Sequence, residues 1–179
     1  IRLAEKMQQK YILIKKPVLD SLCKKRYPLG RQSTRALCEA TFGTREVLDM
    51  AILVSGGAGY IGSHTCIELL NAGYDVVVAD NYYNASPVVL DRVKQITGKD
   101  FRFYQADMTK HEDVEKIFAE CPDITAVIQF AAYKAVGESV SKPIEYYYNN
   151  LNCTLVILDV MRHHDCHNFV FSSSATVYG

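Results

Sequence analysis

The chain has 179 residues, 20 Lys+Arg against 20 Asp+Glu, 49% hydrophobic residues, 10 Gly, 6 Cys and no Trp. That length suits one domain of ordinary globular composition, which excludes a collagen-like, disulfide-stapled or wholly disordered chain. No run reaches the ~18 apolar residues of a membrane helix, so no membrane partner is expected. The zero net charge is a sum of unlike halves: residues 1–49 carry 11 Lys+Arg and 5 Asp+Glu, residues 50–179 carry 9 and 15.

Residues 1–49 hold one apolar cluster, Tyr11-Ile12-Leu13-Ile14, among basic stretches such as Lys24-Lys25-Arg26. Four apolar residues are too few for a secretory signal. With serine only at Ser21 and Ser33, the segment is also a poor organelle transit peptide. A nucleic-acid arm over Lys24 to Arg35 has no recognisable module behind it, and no nucleic-acid partner is expected. The segment reads as a basic leader or upstream extension, poorly ordered, joined to a domain over residues 50–179.

From Met50 on, strand and helix signals alternate. β-Branched or aromatic runs predict strands at 52–54, 76–78, 101–104, 127–130 and 169–171. Between them lie helix-length stretches at 60–72, 87–97, 111–120 and 143–164, with Gly73 as a stop and Pro143 in a first-turn position. Successive βαβ units with right-handed crossovers predict an α/β fold, a doubly wound parallel sheet of the Rossmann-like, dinucleotide-binding kind. Such sheets usually have about six strands, so the chain is expected to be truncated after the fifth.

Directly after the first strand comes Ser55-Gly56-Gly57-Ala58-Gly59-Tyr60-Ile61-Gly62. The spacing Gly56-x-x-Gly59-x-x-Gly62 suits a tight turn, close approach of a pyrophosphate, and close packing of the helix. Free N–H groups at the start of the following helix would meet phosphate charge. Asp80 closes the second strand 18 residues after Gly62. A carboxylate there binds ribose hydroxyls and repels a 2′-phosphate, and no Arg or Lys between Gly73 and Asp91 would neutralise one. The cofactor expected is NAD, with a solvated strand-end carboxylate as the bland alternative for Asp80. Asp107, also after a strand, is either another such carboxylate or a neighbour of the adenine.

With the glycine loop placed, Ala51 to Gly179 resembles the N-terminal part of the UDP-glucose 4-epimerases, within the extended short-chain dehydrogenase/reductase family. The residues that carry the likeness are GGAGYIGSHTCIELLNAGY (56–74), Asp80-Asn81, Phe130-Ala131 with KAVGESVSKPIEYYYNN (134–150), and FSSSATVYG (171–179). Residues 1–49 take no part in it. The resemblance implies that Gly56, Gly59, Tyr60 and Ile61 cradle the NAD pyrophosphate. It places Asp80, Asn81 and Asn84 on the adenosine side and Asp107 and Met108 near the adenine. Phe130, Ala131, Ala132 and Lys134 would line the cofactor after the fourth strand, with Asn149 from the next helix. Ser174 and Thr176 would be catalytic, Ser174 also meeting the cofactor, and Lys134, Ser174, Ala175 and Thr176 would meet the substrate. The sequence departs from the family at Ser55, Ala132, Tyr133 and Cys153; of these, Ala132 adds a methyl group close to the cofactor.

The chemistry implied is a redox epimerisation in galactose metabolism, interconverting UDP-glucose and UDP-galactose through a 4-keto sugar. The family's base is the Tyr of a Tyr-x-x-x-Lys pair, its phenol pKa lowered by the Lys charge. No such pair occurs between Met50 and Gly179, so these residues alone are expected to be inactive. The resemblance further implies a cytoplasmic homodimer. Two rivals stand beside it: a 4,6-dehydratase, which would carry an acidic pair around 173–176, and a non-catalytic dinucleotide-binding module.

Other features have plainer readings. His163-His164-Asp165-Cys166-His167 offers five donors in a row, which cannot easily surround one ion, so no metal is expected. The cysteines at 23, 38, 66, 121, 153 and 166 lack C-x-x-C spacing and read as reduced, partly buried thiols. Tyr146-Tyr147-Tyr148 reads as helix packing, and His64 as a structural residue.

Overall fold

The computed structural model describes residues 50–173, of which 50–172 form one compact unit. Five strands alternate with helices: β1 (Ala51–Ser55), α1 (Tyr60–Asn71), β2 (Asp75–Asp80), α2 (Val88–Thr97), β3 (Arg102–Gln105) and α3 (His111–Glu120). The chain continues with β4 (Ile124–Gln129), α4 (Val136–Ser141), α5 (Pro143–His163) and β5 (Asn168–Phe171). Every pairing is parallel and the strand order is β3-β2-β1-β4-β5. The chain runs outward from β1 through β2 to β3, then returns to lay β4 on the other side of β1. That reversal opens a crevice beyond the carboxyl ends of β1 and β4, where open α/β sheets bind ligands.

The predicted architecture stands, with local corrections. β4 begins at Ile124 and ends at Gln129, so Phe130 lies in the following turn. Phe101 precedes β3. The short helix α4 has no buried residue and therefore no apolar face to announce it. All of β1, and β2 after Asp75, are buried because helices cover both sheet faces. Val114, Ile117 and Phe118 of α3 join Ile157, Val160 and Met161 of α5 in the core with Leu53, Val77 and Val127. Gly73 ends α1 as expected: with φ +87°, its N–H bonds to Leu70 O (3.0 Å), and Tyr74 N–H bonds to Leu69 O (3.1 Å). These two bonds make a Schellman cap.

The edge strand β3 is tied to the turn before β4 by Arg102, whose Nη1 donates to Asp123 Oδ1 at 2.8 Å while Nη2 reaches Oδ2. The guanidinium hydrogen bonds hold the Asp123 carboxyl below its usual range. A carboxyl pKa lowered on folding contributes stability above its unfolded value, near 3.9, and loses it as pH falls through the folded value. Because both groups are partly solvated, Arg102→Gln should cost only about 1 kcal/mol at neutral pH. The gap in urea midpoint between the two proteins should close on acidification below the unfolded value. A gap that stays constant down to pH 2 would refute this ion pair's contribution.

Candidate functional site

The site is assembled from four turns at the carboxyl edge of the sheet. The glycine turn follows β1. Gly56 has φ +76°, a conformation that L side chains rarely adopt. A Cβ there would stand 2.6 Å from Ala131 N, so the β1 and β4 turns meet backbone to backbone. Ser55 O accepts N–H bonds from both Phe130 (2.8 Å) and Ala131 (3.1 Å), which locks them together. At Gly62 a Cβ would lie 2.2 Å from Gly56 O, so the third glycine seats α1 on the turn itself. Gly57, not singled out in the sequence, packs on Val78.

α1 therefore starts hard against the turn with Gly59 as its N-cap, no side chain capping it and no acidic residue in its first turn. The opening N–H groups of a helix have no intrahelical acceptors. Here no side chain caps them, so an anion could accept them. The Tyr60 ring points to solvent and meets His64 edge-on at 5.0 Å, so what Tyr60 can offer a phosphate is its backbone N–H.

Asp80 is buried at the end of β2, and its carboxylate accepts two backbone N–H bonds: Ala58 N to Oδ2 at 3.0 Å and Tyr82 N to Oδ1 at 2.8 Å. It thus braces the glycine turn from outside while facing the crevice. The next turn contains Tyr82 at φ +59° and a Tyr83 N–H bond to Asn81 Oδ1 at 3.0 Å. Asp107, after β3, accepts bonds from Thr109 N (3.0 Å) and Oγ1 (2.7 Å).

These turns surround a cavity of about 110 Å³. Of the expected residues, Gly56, Gly59, Asp80, Asn81, Asn84, Asp107, Met108, Phe130, Ala131, Ala132 and Asn149 all line it. Tyr60, Ile61 and Lys134 do not. Lys134 is exposed, and neighbouring atoms desolvate its ammonium enough to lower the pKa. Ser174, Ala175 and Thr176 lie outside the described residues, as do Cys23 and Cys38.

Tyr83, which sequence reasoning passed over, and Tyr133, noted there only as a departure from the family, also line the cavity. Their rings stack at 4.8 Å across the β2 and β4 turns, and Tyr133 meets Tyr146 at 5.3 Å. Asn150 clamps the Tyr133 backbone at two points: Tyr133 N donates to its Oδ1 (2.8 Å) and its Nδ2 donates to Tyr133 O (3.1 Å). At the ends of β1 and β4, Ser55 Oγ and Gln129 Oε1 are buried with no hydrogen-bond partner among the described residues. Cys153 lines the cavity wall, where burial pushes its thiol up to about 12. A thiol held protonated at neutral pH is wall, not nucleophile.

The arrangement fits a dinucleotide. An uncapped helix start could take a phosphate, and a buried carboxylate with lone pairs to spare stands one strand away, where it could take a diol. The family model described as NAD dependent epimerase/dehydratase matches residues 52–179. The chain belongs to that family. Within it, residues of this chain are 59% identical over 130 positions to the UDP-glucose 4-epimerase of Bacillus subtilis (strain 168) and 62% identical over 130 to that of Haemophilus influenzae. Each alignment covers 73% of this chain and 38% of the relative, so the chain spans well under half the length of these family members. Among solved structures, the UDP-glucose 4-epimerase of Bifidobacterium longum, in complex with NAD+ and UDP, superposes with a TM-score of 0.70 at 58% identity. That match covers 73% of this chain and 38% of the other. The enzyme of Stenotrophomonas maltophila, with NAD and a formylated UDP-arabinopyranose, gives 0.69 at 43%.

Proposed function

We propose that the protein to which these residues belong interconverts UDP-glucose and UDP-galactose with NAD as resident cofactor. The observation that carries this reading is Asp80: a buried carboxylate, bonded to the glycine turn, inside a stretch 59–62% identical to UDP-glucose 4-epimerases. Bound there, NAD would supply reversible hydride acceptance at the sugar's C4.

The chain's own residues would do the positioning. The start of α1, beyond Gly56 and Gly59, would take the pyrophosphate, with the Tyr60 and Ile61 backbone. Asp80, Asn81 and Asn84 would hold the adenosine ribose, and Asp107 and Met108 would border the adenine. Phe130, Ala131, Ala132 and Asn149 would line the remaining length, with Lys134 toward the sugar nucleotide. Ser174 would hydrogen-bond the reacting 4-hydroxyl, with Ala175 and Thr176 beside it. A cytoplasmic location goes with this reading, supported by four described cysteines that are all free and buried. Among the described residues no helix is long and apolar enough to cross a membrane.

Calorimetric titration tests the cofactor. The 179-residue chain should take up NAD saturably and NADP at least about tenfold more weakly, because Asp80 would oppose a 2′-phosphate. With no Tyr-x-x-x-Lys in residues 50–179, it should show no UDP-galactose turnover by itself, whereas a chain continued past Gly179 into such a pair should turn over. Absence of NAD binding would overturn the proposal, and turnover by the 179 residues alone would overturn the assignment of the base to a Tyr-x-x-x-Lys pair outside residues 50–179.

The same proposal includes a homodimer of the whole protein. Its support is α5, where Ile144, Tyr147, Tyr148, Leu151, Leu155 and Leu158 are exposed at helical spacing, Leu155 by 64%. A stripe of that kind is how a helix marks a protein interface. Leu151→Glu with Leu155→Glu should shift the sedimenting species of the whole protein from dimer to monomer. An unchanged dimer would remove α5 from the interface.

A further inference from the structure

On the rim of the α3–α5 contact, three metal-ligating side chains converge away from the cofactor crevice. His111 opens α3, while Asp159 and His163 stand one turn apart on α5. One donor atom from each lies within 4.8 Å of the other two. We propose that His111, Asp159 and His163 form a binding site for a divalent transition metal of the zinc class, with solvent as the remaining ligand.

The geometry supports a chelate. Two donors on one tetrahedral zinc, at about 2.0–2.1 Å from the ion, stand about 3.3 Å apart. His111 Nε2 and Asp159 Oδ2 are already 3.5 Å apart. His163 follows Asp159 by four residues, the spacing that puts two side chains on one helix face. Bringing it in needs side-chain rotation only, because all three donors are partly or fully exposed. The backbone beneath them is fixed: Val114 and Ile117 of α3 and Ile157 and Val160 of α5 are all buried in the core.

The Asp159 carboxylate is also oriented. Arg162 Nη2 donates to its Oδ1 at 2.7 Å, which leaves Oδ2 turned to His111. A hydrogen bond of this kind to a ligating carboxylate fixes its direction. Two imidazoles and one carboxylate favour zinc and its neighbours over calcium or magnesium, which prefer all-oxygen sets. The end of α5 adds favourable negative dipole at His163, and Glu112 and Asp113 in the first turn of α3 offset the opposite pole at His111.

The run at 163–167 does not act as a unit. His164 Nε2 pairs with Glu115 (2.7 Å), His167 Nε2 with Asp165 (2.7 Å), and Cys166 is buried. Only His163 of that run reaches the cluster. The competing account is an ordinary His111–Asp159 ion pair in which His163 does nothing, and His163 therefore decides between them. An ion held by α3 and α5 together binds the folded state and raises its unfolding temperature by mass action.

The test uses the full 179-residue chain, stripped with EDTA and desalted, titrated with ZnCl₂ by calorimetry and followed by thermal unfolding. Metal-free His111→Gln and His163→Gln should unfold at the wild-type temperature, since both side chains are exposed. Wild type should show a saturable site and a zinc-dependent rise in midpoint. Each variant should bind at least about tenfold more weakly at that site, as loss of a ligand demands, and lose the rise. Equal isotherms for wild type and His163→Gln would overturn the site, whatever other groups take up zinc. So would the absence of saturable uptake.

Discussion

Asp80→Ala should remove both cofactor affinity and part of the fold's stability. In the folded chain the carboxylate satisfies Ala58 N–H and Tyr82 N–H. Alanine leaves both without an acceptor, at about 1–3 kcal/mol for a buried donor, and Tyr82, less buried, sits at the low end. The expected loss in urea unfolding is about 2–4 kcal/mol. The effect on affinity follows from the same atoms. Tyr82 holds φ +59°, a left-handed conformation that a non-glycine residue keeps only when its surroundings enforce it. Without Asp80 Oδ1 that turn relaxes, and with it Asn81, Tyr83 and Asn84 on the cavity wall. Together with the lost charge-assisted bonds to a ribose diol, about 1.5–3 kcal/mol each, NAD affinity should fall by a factor of about 100 or more. Asp80→Asn separates the two roles. It keeps one acceptor oxygen and presents an NH₂ group to the other N–H, so it should be intermediate in stability while losing the discrimination against NADP. An Asp80→Ala protein that binds NAD within about threefold of wild type would sink the assignment of this carboxylate to the ribose.

Why Asp80 could be read from the sequence, and Asn150 could not, comes down to range. Asp80 is fixed by local grammar, a strand followed by its first polar residue, counted from a glycine turn. The central strands were legible for a similar reason: burial on both faces forces continuous apolar runs such as Ile52-Leu53-Val54 and Val76-Val77-Val78. Phe130 misled because an aromatic ring looks like strand, whereas its N–H crosses to Ser55 O and turns the chain into the crevice. α4 buries nothing, so no periodicity marks it. Tyr147 and Tyr148 were expected to pack; helical spacing shows that residues share a face, not what covers it, and both are exposed. The clamp of Asn150 on Tyr133 and the pairing of His111 with Asp159 join residues whose adjacency exists only once α3 and α5 lie on the sheet. Gly62 shows the intermediate case: its spacing was legible, but its packing partner is the turn itself.

A glycine series should separate folding from binding at this turn. Gly62→Ala places a methyl 2.2 Å from Gly56 O and 2.8 Å from Gly57 Cα, backbone atoms that no rotamer change can move. α1 would have to shift off the turn, at about 3 kcal/mol or more, the upper range for overpacking. Gly56→Ala combines its left-handed φ with a methyl 2.6 Å from Ala131 N, so about 3–5 kcal/mol is expected. At Gly59 the only close neighbour among the described residues is Gly56 O at 3.3 Å, a contact relieved by a few tenths of an ångström. Gly59→Ala should therefore fold within about 1 kcal/mol of wild type, yet carry its methyl on the side where a phosphate must approach the helix start, weakening NAD binding by about tenfold or more. Two positions calibrate the scale. Gly73→Ala meets no atom of the described residues within 4 Å and loses only its φ +87° cap, about 1 kcal/mol. Gly137→Ala, in open space on α4, should be neutral or gain up to about 1 kcal/mol. Urea unfolding and NAD calorimetry on the same five proteins give the answer. If Gly59→Ala lost as much stability as Gly62→Ala, the middle glycine would serve packing like its neighbours, and the helix start would lose its claim to a phosphate.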